Sequence, residues 1–95
     1  EMRLGLGAVL LGLGRPAAAR AEFEGALAIH GALYGPQHPF VASALLGLGR
    51  VALAEKQPGR ARPLLEQAVA IRQKSGVDRI EVARAEAALG QALLA

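Results

Sequence analysis

The residues in this chain that could do chemistry are few, and their spacing suits none of the common reactions. His30 and His38 are the two histidines, Ser43 and Ser75 the two serines, and cysteine is absent. A serine nucleophile needs a base beside it and a third group to orient that base. No histidine is arranged to serve either serine. Glu22 and Glu24 stand two apart, and on a helix residues i and i+2 do not share a face, so they cannot work as a carboxylate pair. Without thiolates, and with no spaced set of His, Asp and Glu, no metal shell is complete. The segments 12–17 and 47–52 both fit Gly-x-Gly-x-x-Ala, a loose dinucleotide fingerprint. That motif needs a strand before it and a helix start after it, whereas the first copy ends a helical pattern and the second lies inside one. The expectation is a chain that is no enzyme and holds no cofactor and no metal. His30 is expected on a helix surface, and His38 capping or packing at a helix start.

Composition points to helices. The chain has 95 residues, about one small domain; 53% are hydrophobic but only 3% aromatic. The apolar side chains are mainly Ala, Leu and Val, and Ala and Leu are strong helix formers. Net charge is +3, and Arg supplies most of it. The basic residues are scattered and interleaved with Glu22, Glu24, Glu55, Glu66, Asp78, Glu81 and Glu86. No basic run of the kind that tracks phosphates appears, so solvated helix faces are expected and nucleic acid is not. Residues 2–19 have the outline of a leader: Arg3, an apolar stretch from Leu4 to Gly14, then Ala17-Ala18-Ala19. The same kind of run returns inside the chain at 44–49, and it falls well short of the ~20 residues of a membrane span. No membrane association is expected, and a cytoplasmic location is the default.

The chain repeats itself. Leu6-Gly7 returns as Leu48-Gly49, Ala19 as Ala61, Phe23 as Leu65, and 26–29 (Ala-Leu-Ala-Ile) as 68–71 (Ala-Val-Ala-Ile), all at an offset of 42. A third half-copy follows at an offset of 41, with Val41-Ala42 returning as Val82-Ala83 and Leu48-Gly49 as Leu89-Gly90. A fixed period in the range of roughly 20–50 residues marks a stacked array. The chain opens mid-repeat at Glu1 and closes after half of one at Ala95, as expected of a piece of a longer protein.

Five helices fit the pattern. The first covers about Met2–Leu13 and is broken by Gly14-Arg15-Pro16, with Pro well placed in the first turn of the next. The second runs from Pro16 to Leu33, its apolar residues Ala19, Phe23, Ala26, Leu27 and Ile29 mostly at 3–4 spacing. Residues 34–37 make a turn. The third helix runs from His38-Pro39 to Glu55, the fourth from Arg60 to Lys74, and the fifth from Arg79 to Leu94, where Asp78 can cap it. Connections this short make neighbouring helices antiparallel. One hairpin cannot cover its own apolar face, so hairpins stack.

These residues resemble tetratricopeptide repeats, in the 42-residue form of kinesin light chains and of many bacterial regulators. Leu6-Gly7 and Leu48-Gly49 fall where that family has its Leu-Gly pair. Ala19, Phe23 and Ala26, then Ala61, Leu65 and Ala68, fall where it has Ala, a large apolar residue and Ala. The connector 34–42 is similar to the family's Leu-Gly-x-x-His-Pro-x-Val-Ala segment. The resemblance implies an all-α right-handed superhelix of about two and a half repeats: 1–36, 37–77, and the first helix of a third over 78–95. It also implies a protein–protein interaction module, with the first helix of each hairpin lining a concave groove.

Projected onto this sequence, the groove presents Leu4, Ala8 and Leu11, then Ser43, Leu46, Arg50 and Leu53, then Arg84, Ala87, Gln91 and Leu94. Each set recurs at i, i+3, i+4, i+7 and so lies on one stripe. Such a surface suits an apolar peptide or partner segment carrying an acidic group, which Arg50 or Arg84 could bind bidentately. The sequence departs from peptide-binding members where they carry Asn, since Gly5, Gly47 and Ala88 stand there. It also lacks the Lys and Asn of the clamp that holds chaperone tails, so neither ligand class carries over. The alternative role is a structural spacer or oligomerisation segment. The fifth helix would leave Val82, Ala85, Leu89, Ala92 and Leu93 open to end-to-end self-association.

The alanines set the hairpin seam, so Ala61→Leu should overpack it and cost about 1–3 kcal/mol. Thermal unfolding that is unchanged in this variant would show that the seam lies elsewhere.

Overall fold

Alanine-rich amphipathic segments separated by Gly and Pro can only form helices that stack, and the computed structural model, described for residues 2–75 and Ala88, has this arrangement. Four helices follow one another: α1 (Met2–Gly12), α2 (Pro16–Tyr34), α3 (Pro39–Ala54) and α4 (Pro58–Ser75). α1 packs on α2, α2 on α3, and α3 on α4, with a smaller contact between α1 and α3. The order is two helical hairpins stacked through α2 and α3. The fifth helix expected over 79–94 lies outside the described residues. The others agree to within two residues; α4 starts at Pro58, two residues before Arg60, because Pro occupies the first turn here as it does in α2.

The same terminator ends α1 and α3. Gly14 has φ +76°, its N–H bonds Leu11 C=O at 3.1 Å, and the Arg15 N–H bonds Leu10 C=O at 2.9 Å. One repeat later Lys56 has φ +60°, its N–H bonds Leu53 C=O at 3.0 Å, and the Gln57 N–H bonds Ala52 C=O at 2.8 Å. Both are Schellman closures, which satisfy carbonyls that the helix end leaves open. Glycine enters the left-handed region without cost, but lysine must hold it against its Cβ.

The turn between hairpins is built differently. Gly35 at φ +87° ends α2, and its N–H bonds Gly31 C=O. His38 then caps α3, its Nδ1 accepting from the Phe40 backbone N–H at 3.1 Å, so the capping role expected for His38 holds. His30 corrects the other expectation. It is buried, and its ring meets those of Tyr34, at 5.7 Å, and Phe40, at 4.9 Å. His30 continues the buried stripe of Ala19, Phe23 and Ala26 at helical spacing, and the α3 N-terminus brings Phe40 against it.

The core is made by close approach. Ala19, Ala26, Ala61 and Ala68 are fully buried, as are Phe23 and Leu65. A Cβ at Gly7 would come within 2.8 Å of the Phe23 ring, and a Cβ at Gly47 would collide with the same ring from the other side. Phe23 therefore fills the space between α1 and α3 that two glycines leave. One repeat on, Gly49 closes on Leu65, where a Cβ would stand 2.5 Å from Cδ2. Gly47 is there replaced by Ala88, which is buried in the same cluster as Leu65. The larger ring pairs with glycine, and the smaller leucine with alanine.

Gly47→Ala should therefore cost about 1–3 kcal/mol, although alanine favours the helix. Combined with Phe23→Leu it should cost less than the sum of the two single changes by about 1 kcal/mol, because the pair then copies Ala88 and Leu65. Additive denaturant-unfolding energies would rule out the shared volume. Lys56→Gly should raise stability by about 0.5–1 kcal/mol, the strain relieved being partly offset by a freer unfolded chain. A lower urea midpoint in that variant would mean that the Lys56 side chain contributes more than its backbone strain costs.

Candidate functional site

α1 and α3 are the first helices of their hairpins. Their 3.6-residue period places Leu4 and Ala8 of α1 beside Ser43, Leu46 and Arg50 of α3. These five line one shallow hollow of about 140 Å³, with Phe23 and Gly47 at its base. The hollow exists because Gly47 carries no side chain: its backbone sits directly against the Phe23 ring, and the surface dips between the two first helices. Leu46 is buried and forms floor, while Ala8 and Arg50 are exposed at the rim.

The remaining residues of the expected groove go elsewhere. Leu11 is half-buried and packs on the cluster of Ala19, Phe23 and Val51. Leu53 packs against the larger cluster around Leu65. Both face inward enough to be structural in this array. Arg84, Ala87, Gln91 and Leu94 lie outside the described residues.

The polar chemistry of the hollow comes from two helices. Arg50 projects from α3 and forms no hydrogen bond or ion pair with another described residue. Ser43 accepts a hydrogen bond from the Arg72 guanidinium on α4, and Arg72 is itself buried. A buried guanidinium demands such acceptors. This engagement uses a lone pair of Oγ and leaves the hydroxyl proton free to donate into the hollow. A carboxylate entering between Arg50 and Ser43 would meet a charged donor and a neutral one.

Arg72 had no place in the sequence-based site, yet a signal for it exists. It stands at an offset of 42 from His30, and these are the two buried polar residues among the described positions. The repeat keeps a polar side chain there on the second helix, turned towards the first helix of the next or the same hairpin. His30 meets aromatic rings and Arg72 meets a serine hydroxyl.

Three other basic residues are engaged within the fold. Arg20 of α2 forms an ion pair with Glu55 at the end of α3, bridging the two hairpins. Arg62 pairs with Glu66 at 3.0 Å along the exposed face of α4, and Arg60 donates to Gln57 at 2.9 Å. Among the described residues no group of three His, Cys, Asp or Glu could hold a metal. No described helix is long and apolar enough to cross a membrane.

The tetratricopeptide-repeat family model matches residues 1–74, which takes in both hairpins. The chain belongs to the tetratricopeptide-repeat family. No curated protein and no solved structure matches it. Family membership makes the stacked hairpins a tetratricopeptide array, and arrays of this family generally serve as protein-interaction modules.

Proposed function

We propose that this tetratricopeptide array binds a partner protein through the hollow between α1 and α3. The segment it takes is apolar with an acidic group beside it. The observation that carries this reading is Arg50, an exposed guanidinium at the rim of an apolar depression, without an ion pair to any described residue. Its neighbours Leu4, Ala8 and Leu46 offer apolar contact, and Ser43 offers a hydroxyl. A peptide side chain of leucine size fits a depression of this kind, and a neighbouring Asp or Glu reaches Arg50. Arginine at such a place favours planar, bidentate recognition of a carboxylate.

The reading includes a regulatory or scaffolding role within a larger protein, in the cytoplasm, without catalysis. The reading does not include nucleic acid; the ion pairs of Arg20 and Arg62 with glutamates and the burial of Arg72 support leaving it out. Neither the partner's identity nor an accessory cofactor enters the proposal.

The test is capture from a random peptide library, followed by affinity measurement with Arg50→Glu and Ala8→Glu. Both positions are exposed, so both variants should fold, as circular dichroism will show. Captured peptides should pair an apolar residue with Asp or Glu, and each variant should weaken binding by about tenfold or more. Peptides that bind both variants as well as the parent would move the site away from the hollow.

A further inference from the structure

α2 and α4 flank α3 without packing on each other. The gap between them is floored by Val41 and Leu45 of α3 and walled by Leu27 and Ile71. It holds a depression of about 370 Å³, larger than the hollow between α1 and α3. Helix period puts the two on opposite faces of α3. Depressions of ~300–1,000 Å³ with an apolar lining and a few polar groups are where proteins hold small molecules. Leu27 also lines the next depression along the gap and so stands between the two. Pro36 and Gln37 of the connector line it too. A depression bounded in this way suits a small molecule better than a chain passing through.

Its polar groups are Gln37, Gln67 and Lys74, and no acidic residue lines it. All three are exposed, and none of their side chains forms a hydrogen bond or ion pair with a described residue. The internal repeat separates scaffold from rim. At the offset of 42, Ala70 and Ile71 repeat Ala28 and Ile29. Gln67 instead stands where the first hairpin has Gly25, and Lys74 where it has Ala32. The apolar lining of α4 is repeated, and the polar rim belongs to this joint.

We infer that this depression binds a small carboxylic acid with an apolar body. The body lies over Val41, Leu45 and Ile71 and removes apolar surface from water. The carboxylate pairs with the Lys74 ammonium, and the amides of Gln37 and Gln67 are the neutral donors within the same rim. With one cation and no acid in the lining, an anion is preferred over a cation of the same shape. No lining residue is shared with the hollow, so the two sites are independent.

The probe is octanoate, with octanol and octylamine as its neutral and cationic counterparts of equal chain length. Each is titrated into the chain and followed by two-dimensional NMR. Octanoate should shift the signals of Leu27, Val41, Leu45 and Ile71. It should bind about fivefold or more tighter than octanol, with octylamine weaker still. Lys74→Met should bring octanoate down to the affinity of octanol and leave octanol unchanged. Ala70→Phe should fill the depression and weaken both by about fivefold or more. Both positions are exposed, so both variants should fold, which circular dichroism checks. Arg50→Glu, in the hollow, should change nothing. No binding of octanoate at millimolar concentration, equal binding of octanoate and octanol, or binding indifferent to either variant overturns the inference. So does a peptide ending in leucine that displaces octanoate and binds tighter, because the occupant would then be a protein terminus.

Discussion

The fold depends on one steric fact: the Phe23 ring has room only because Gly7 and Gly47 have no side chains. Those glycines come from two different first helices, so a single aromatic residue sets the spacing within a hairpin and between hairpins at once. Protein interiors are packed to crystal density, and a methylene gained or lost there is felt. The second hairpin meets the same demand with different volumes, Leu65 against Gly49 and Ala88. What the array conserves from one hairpin to the next is a summed volume at each joint. The residue types that fill it are exchangeable so long as their partners change with them.

A similar exchange runs through the rest of the repeat. The left-handed residue that ends the first helix is Gly14 in one hairpin and Lys56 in the other, with the same hydrogen bonds around both. The buried polar residue of the second helix is His30 in one and Arg72 in the other. Backbone geometry and packing distance are held, while the chemistry at each equivalent place varies. That separation explains how one scaffold can offer different surfaces: close approach is enforced by alanines and glycines that face inward, which leaves the outward positions free to differ.

The fold was legible because its determinants are local. Pro16, Pro58, Gly14, Gly35 and the alanine stripes each announce themselves within a few residues, and the repeat doubles every signal. The candidate hollow was legible in part, since Leu4, Ala8, Ser43, Leu46 and Arg50 follow from the family resemblance projected along the helix period. What escaped was contact across sequence. His30 lies on the stripe of Ala19, Phe23 and Ala26, so its burial was readable from spacing and was missed because a polar residue was read as solvent-facing. The rings that meet it, Tyr34 and Phe40, were not readable that way. Arg72 reaches Ser43 across the α3–α4 seam, a pairing visible only once the two helices lie side by side. Leu11 and Leu53 share the expected stripe but do not line the hollow, and they pack on the two core clusters. A stripe defines a face about 100° wide, and its edges are shared between the groove and the core.

The hollow and the α1 face have a common origin in this packing. Glycine at the position of Gly5 and Gly47 is needed wherever a second helix must bring an aromatic ring close to the first helix that follows. Where that ring is present, at Gly47, the backbones are drawn together and a depression lies between α1 and α3, lined by Leu4, Ala8, Leu46 and Arg50. Where the helix face stands open, at Gly5, the same glycine leaves a seat flanked by exposed Met2, Leu6 and Val9.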